Sequence, residues 1–377
     1  MSFTAASYPC ASLAATRNVP GQYETIQAAI DAAVPGDTVL IAPGTYRGPG
    51  NRGIVLRGKD VAVLGRDGSD NTIIDCERAD RGFCIREWET RDARVEGLTI
   101  TGGQAISGGG MYCAISSPAI VRCRFVDNWA SQDGGGLTLV CSDALVEECI
   151  FEKNLSQNFA GGLGAECGAP LIQNCVITGN WGYRGGGVWL GGTGENVLHG
   201  CTIADNLGSL GGGLRSDGAF TLDRCIVWGN CAVIHGAQIY QGHGTLQCSV
   251  VDSSGVYSPS HAITYDENCR FVDPSFCDPA GCGYTDTGEY TLESGSVCLP
   301  ENSPCGTLIG ALGEGCGGTP AMGACCFADG SCEVRTIDEC LIQQGSYQGD
   351  DTLCTPDLCQ PTPVEQTSWG RIKQRFR

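Results

Sequence analysis

Two carboxylates, Glu166 and Asp217, and one guanidinium, Arg215, are the side chains of this sequence best suited to reaction chemistry. A pair of carboxylates can serve as acid and base across a glycosidic bond, and an arginine can steady the negative charge that develops. Tyr112, Trp189 and Tyr240 supply aromatic rings, whose apolar faces stack on flat partners. These six residues are spread from position 112 to 240. Only a repeating chain can bring them onto one surface.

Such a repeat runs through residues 108–248. Glycine groups recur at 108–110, 134–136, 161–162, 185–187 and 211–213. Each is followed by a cysteine (Cys123, Cys149, Cys175, Cys201, Cys225, with Cys248 closing the series) and, five residues after each of the first five, by an asparagine. The cysteine spacings are 26, 26, 26, 24 and 23, and a fixed period of this size means a solenoid. Segments such as Leu137–Cys141 and Leu214–Asp217 alternate, so one set of side chains points inward and the other outward. The inward columns are expected to be Met111/Leu137/Leu163/Val188/Leu214, then Ile120/Val146/Ile172/Leu198/Leu222, then the cysteines, then Phe125/Phe151/Ile177/Ile203/Val227. Asn128, Asn154, Asn180, Asn206 and Asn230 should form an amide ladder between bends.

Two outward columns then carry the candidate chemistry. One reads Tyr112, Thr138, Gly164, Trp189, Arg215, Gln238; the next reads Ala114, Val140, Glu166, Gly191, Asp217, Tyr240. Glu166 and Asp217 would stand two coils apart, ~10 Å, just beyond the ~6.5–9.5 Å of inverting glycosidase pairs. The plainer reading is an ordinary solvated face with Arg215 and Asp217 in a surface ion pair worth little. No height of the solenoid gathers the several converging oxygens that calcium wants. Trp129 and Trp181 share a further column with Leu155 and Leu207, for which core packing is the expectation.

Composition narrows the classes. A net charge of −19 with 3 lysines argues against nucleic acid, because phosphate binding needs a basic surface. Twenty-five cysteines, mostly outside CxxC pairs, fit an oxidising compartment. No stretch has the roughly 18 apolar residues of a membrane span. Residues 1–20 show no secretory leader pattern, so secretion or display at the cell surface is inferred from the cysteines alone.

In chain order, a polar lead-in (1–21) precedes a cap (22–48), in which Ile26, Ala29, Ile30 and Ala33 fall at helical spacing. Thr38–Ala42 reads as a strand and Pro43–Tyr46 as a turn. The coils occupy 49–268, a closing segment 269–318, a cysteine-rich module 319–360, and a linker with a basic tail 361–377. The segment "TIQAAIDAAVPGDTVLIAPGTY" is similar to the capping segment of right-handed parallel β-helix proteins of the pectin-lyase-like superfamily. "NTIIDCERADRGFCI", "VEGLTITGG" and the SSPAIVRCRFVDN stretch resemble secreted bacterial β-helix repeats, with an echo of polymorphic outer-membrane-protein repeats. The resemblance covers about residues 20–315. It implies an all-β, right-handed parallel β-helix with an N-terminal capping helix and a small disulfide-rich C-terminal module. It further implies that 271–316 covers the last coil, and that any lyase chemistry would use the outward first-strand face, with Ca2+ as its one implied cofactor.

Two short matches to polygalacturonase motifs, Gly242–Gly244 and Arg371–Lys373, are chance. The second lies beyond the cysteine module, and the paired aspartates of that family have no counterpart in the coils, since Asp350–Asp351 sits inside that module. The module itself, CC-x5-C-x7-C-x13-C-x4-C from Cys325 to Cys359, is too short to hold together without bridges. Its six cysteines allow 15 pairings, and zinc is the weaker reading. Cys141 and Cys167, taken as inward neighbours in adjacent coils, are the expected inter-coil bridge, and Cys10 the expected orphan. The four histidines suggest no triad. Near-constant coil length predicts a smooth rod without loops to wall a cleft. Together these features favour a non-catalytic binding or adhesion protein whose partner is a polysaccharide or cell-surface component. The basic tail is then a docking signal for export or surface machinery. A polysaccharide lyase or glycoside hydrolase on the first-strand face is the alternative.

Overall fold

The computed structural model describes residues 14–192, 194–259, 263–283 and 288–316. Beyond these it describes 322–327, 330–336, 340, 346–350, 352–355 and 359. Chain contacts divide it into two units, 1–315 and 316–377. The first is a right-handed parallel β-solenoid.

One coil shows the plan. Leu137–Val140 is the first strand, Leu145–Glu147 the second and Ile150–Glu152 the third, and Leu155–Ser156 begins an excursion that returns at Gly161–Gly162. Each strand pairs with its counterparts one coil before and after, always parallel: Met111↔Leu137↔Leu163, Ile120↔Val146↔Ile172, Phe125↔Phe151↔Ile177. The resulting sheets have 8 first strands, 11 second strands and 9 third strands. The three apolar columns are fully buried along the bore, as the repeat requires, and the rings of Phe125 and Phe151 stack at 4.9 Å.

A fourth parallel sheet of 6 strands was not expected. It is built from the excursions, here called arms, of which Trp129–Asp133 and Trp181–Arg184 are the clearest. The glycine groups exist because of these arms. A Cβ on Gly135 would lie 2.6 Å from the carbonyl of Leu155, and one on Gly186 2.5 Å from that of Leu207, so only glycine lets an arm lie this close. The rod is therefore not smooth.

The asparagine ladder is present and continuous. The Asn154 side-chain nitrogen donates to Asn180 Oδ1 at 3.0 Å, Asn180 to Asn206 at 2.9 Å and Asn206 to Asn230 at 2.9 Å, each also holding a carbonyl of the preceding coil. Gln238, assigned to an outward column, instead takes the third-glycine position opposite Gly213, where it is buried and accepts from Asn230 Nδ2 at 2.7 Å. It ends the ladder. Tyr240 consequently pairs with Arg215 rather than following Asp217.

Cys123, Cys149, Cys175, Cys201 and Cys225 are buried free thiols. Cys248 does not close this series. Ser249 occupies the ladder position, its hydroxyl accepting from the Cys225 N–H at 3.0 Å, while Cys248 bridges to Cys305. The Cys141–Cys167 bridge forms between adjacent coils, but Cys141 is exposed, so it ties the surface and not the bore.

At the N-terminus, helix α1 (Ile26–Ala32) is capped by Thr25, whose hydroxyl accepts from the Ala28 N–H at 3.2 Å. Its Ile26, Ala29 and Ile30 join the core. Gly44–Tyr46, read as a turn, is a strand and opens the third-strand sheet.

The closing segment departs most from expectation. After Cys269 the chain leaves the solenoid, and Phe276, Tyr290, Leu292, Cys298, Leu299 and Ile309 pack on outward third-strand residues Ala204, Ile226 and Val250. It folds back along the flank instead of lying over the last coil. Asp205 accepts from the Gly281 N–H at 2.8 Å and the Tyr290 hydroxyl at 3.0 Å, and Cys231–Cys282 and Cys248–Cys305 fasten it.

The second unit contains an antiparallel sheet of Met322–Cys326, Cys332–Thr336 and Ser346–Asp350, with Cys325–Cys340, Cys326–Cys359 and Cys332–Cys354 bridged. Cys326, Cys332 and Cys359 are the one cluster of three or more potential metal ligands among the described residues, and all three sulfurs are engaged in those bridges. Cys10, the lead-in up to residue 13 and the basic tail lie outside the described residues.

Candidate functional site

The outward face of the first-strand sheet is bordered by the last residues of the arms. Asp133 ends its arm beside Thr138, whose hydroxyl donates to the Asp133 carbonyl at 2.7 Å. Phe159 and Arg184 occupy the matching positions of the next arms, with the Arg184 guanidinium 5.2 Å from the Phe159 ring centroid. Strand and arm ends thus lie side by side along the solenoid, a strip called the groove below.

The candidates fall into two groups within it. Toward the N-terminus, Tyr112 is half-buried with the Arg81 guanidinium 5.1 Å over its ring. Burial pushes the Tyr112 hydroxyl up, against the opposing charge of Arg81. Glu166 is exposed, and its charge reaches Asp133. Burial raises the Asp133 carboxyl above its ordinary value and Glu166 raises it further, against a Ser107 hydroxyl donated at 3.2 Å.

Two coils on, Asp217 accepts the Trp189 indole N–H at 2.8 Å and pairs with Arg215 at 2.9 Å. Trp189 is only 8% exposed, sits against Phe159 at 4.2 Å and lies over Gly191. It is a buried prop for Asp217 and not the open platform expected from its column. Arg215 also covers Tyr240 at 5.3 Å, and Tyr240 stacks on Tyr257 at 5.6 Å, which in turn stacks on His235 at 4.4 Å. Glu166 and Asp217 stand two coils apart as the register requires, Glu166 exposed and Asp217 held by Trp189 and Arg215.

Asp133, Phe159, Arg184 and His235 escaped the sequence reading. Each stands just before a glycine group or the residue replacing its first glycine, a column as regular as the others. It went unread because the arms were not foreseen.

No curated protein matches the sequence. Among solved structures, a pectate lyase is similar at 14% identity over 81% of this chain and 97% of its own, with a TM-score of 0.46. A pectin methylesterase from carrot is similar at 13% over 71% and 86% (TM-score 0.34), and one from rice weevil at 12% over 79% and 87% (TM-score 0.29). Likeness at this level speaks to neither activity nor ligand. The sequence matches the right-handed β-helix region family over 50–183 and again over 129–296. Spanning 50–296 in this way, the chain belongs to the right-handed β-helix region family.

Proposed function

We propose that this is a secreted or surface-displayed, non-catalytic β-helix protein that binds carbohydrate along its first-strand groove. The observation that carries the reading is the contrast within the groove. The reactive groups Arg215 and Asp217 are spent on each other and on Trp189, whereas the rings of Tyr112, Tyr240 and Tyr257 stay partly open in file along the axis. Rings already fixed by guanidinium and ring contacts offer their open edges at little entropic cost. The bridges on the coils and the flank are consistent with an extracellular protein. Among the described residues no helix is long and apolar enough to cross a membrane. A polysaccharide or cell-surface component is the partner class, and the basic tail is proposed to dock to export or surface machinery. Binding of the full chain to a glycan array tests this. Tyr112→Ala and Tyr240→Ala should each lower the signal about tenfold, and an array without any retained glycan would sink it.

One observation favours the alternative, a glycoside hydrolase or lyase. Asp133, held toward its protonated form, and the exposed Glu166 are two carboxylates in unlike environments, the asymmetry that separates acid from base. Incubation with a panel of acidic and neutral polysaccharides, with and without Ca2+, separates the readings. Cleavage abolished by Asp133→Asn, Glu166→Gln, Arg215→Ala or Asp217→Ala would establish the enzyme.

A further inference from the structure

The arms have a second face, turned away from the groove, and it differs from the rest of the surface. Its first column reads Gln104, Trp129, Leu155, Trp181, Leu207 in unbroken parallel register. Trp129, Leu155, Trp181 and Leu207 are all half-buried, not packed away in the core. The neighbouring column adds Ile106, Tyr183 and Val233, exposed by 65%, 39% and 75%. From Gln104 to Val233 these two columns contain no charged side chain, on a protein whose net charge is −19. The nearest arm charges are engaged locally, the Asp133 carboxylate accepting from the Ser107 hydroxyl at 3.2 Å and the Arg184 guanidinium lying between the Phe159 ring at 5.2 Å and the Tyr183 ring at 6.0 Å.

We infer that this arm face is a binding platform for an uncharged, extended β-1,4-linked polysaccharide, which lies along the solenoid axis. Three features point to that ligand. The two tryptophans are two coils apart, ~9.6 Å, and alternate sugars of a β-1,4 chain present the same ring face to a flat surface. The period of the coils and the period of the glycan therefore coincide at every second step. Leu155 and Leu207 floor the positions between and beyond the rings. A face empty of charge on an acidic protein suits a neutral chain, and a polyanion approaching it would be repelled by the surrounding carboxylates. The ligand class rests on the carbohydrate reading above, but the surface and the residues are different ones.

The test is a pull-down of the full chain on microcrystalline cellulose, on chitin and on polygalacturonate gel, at low and high salt. Retention on a neutral β-1,4-glycan that persists in high salt is expected, because no ion pairs are involved. The Trp129→Ala/Trp181→Ala variant should lose retention by about tenfold or more, and Trp129→Tyr/Trp181→Tyr should restore much of it. The tyrosine pair keeps the test meaningful should the alanine pair fold poorly, which thermal unfolding would show. Retention unchanged in the folded alanine variant overturns the inference, as does preference for polygalacturonate. So does a dimer of the wild-type chain that the alanine variant dissolves, which would make the face a self-association surface. Array binding that Tyr112→Ala removes and the tryptophan variants leave intact would uphold the groove reading while overturning this one.

Discussion

Asn180 shows how much one repeated residue holds. Its Oδ1 accepts from both the backbone and the side-chain nitrogen of Asn154 at 3.0 Å, and its Nδ2 donates to the carbonyls of Phe151 and Thr178 and to Asn206. Removing the amide leaves buried donors and acceptors unsatisfied at two heights of the bore, at about 1–3 kcal/mol each. Asn180→Ala should therefore lower stability by about 2–4 kcal/mol, read from urea unfolding. A loss below 1 kcal/mol, within the net worth of one ordinary bond, would mean that water replaces the amide. This ladder was legible because its period is strict. Gln238 was not, since it serves the ladder from a different column, and Cys248 misled because it stands one residue before the ladder position, which Ser249 takes. For Trp189, the alternation of the strand gave the correct outward side but could not reveal that Phe159, from an arm, covers it.

At the scale of elements, glycine and aspartate do opposite kinds of work. Gly186→Ala places a Cβ 2.4 Å from one backbone oxygen and 2.5 Å from another, neither of which can move alone. Gly283→Ala meets nothing within 4 Å. The first should prevent accumulation of folded protein or cost more than about 3 kcal/mol, while the second stays within about 0.5 kcal/mol. Equal thermal midpoints for the two would refute the close-approach explanation of the glycine groups. At the cap, Asp37 accepts the N–H groups of Ala15 and Val34 and pairs with Arg17, which together hold its carboxyl down at about 2. Its folded pKa lies below the unfolded value near 3.8, so the stabilisation is complete above that value and is lost as pH falls toward 2. Amide exchange in Thr16–Val19 should accelerate across that window, and Asp37→Asn should remove the pH dependence. The fold of the coils and the capping helix were readable from spacing. The placement of 269–316 was not, although a signal existed. Third-strand residues Ile150, Val176, Ile226 and Val250 are apolar on the outward side as well as the inward, which marks a strand covered on both faces.

Across the whole molecule the cysteines divide by location. Bridges lie on the surface, on the flank and in the C-terminal unit, whereas among the described residues nine of the ten free thiols are buried, Cys84 being half-buried. Burial pushes Cys76 and Cys298 up to about 12 and Cys113 higher still, so none of these three is a thiolate at neutral pH. Iodoacetamide on the native protein should label Cys84 first and leave the five ladder cysteines unmodified until denaturant is added, as mass spectrometry of the peptides would show. Ready labelling of Cys149 or Cys175 in the native state would mean that the bore opens. The count of 25 cysteines suggested an oxidised protein and the period placed the ladder cysteines inside, but neither said which of the remaining thiols cross-link. That depends on which side of a strand each one occupies.

The strict register of the coils has a consequence for how such a chain can change. From Asn128 to Asn206 the amide ladder advances by 26 residues at every step. A duplication or deletion of one 26-residue unit would keep every inward column and every amide in phase, while shifting which outward residues are neighbours. The fold is thus indifferent to its own length, and Trp129 and Trp181 are not. One inserted unit between them would separate the rings by three coils instead of two. Slippage in the gene is therefore a ruler that can be reset without rebuilding anything inside.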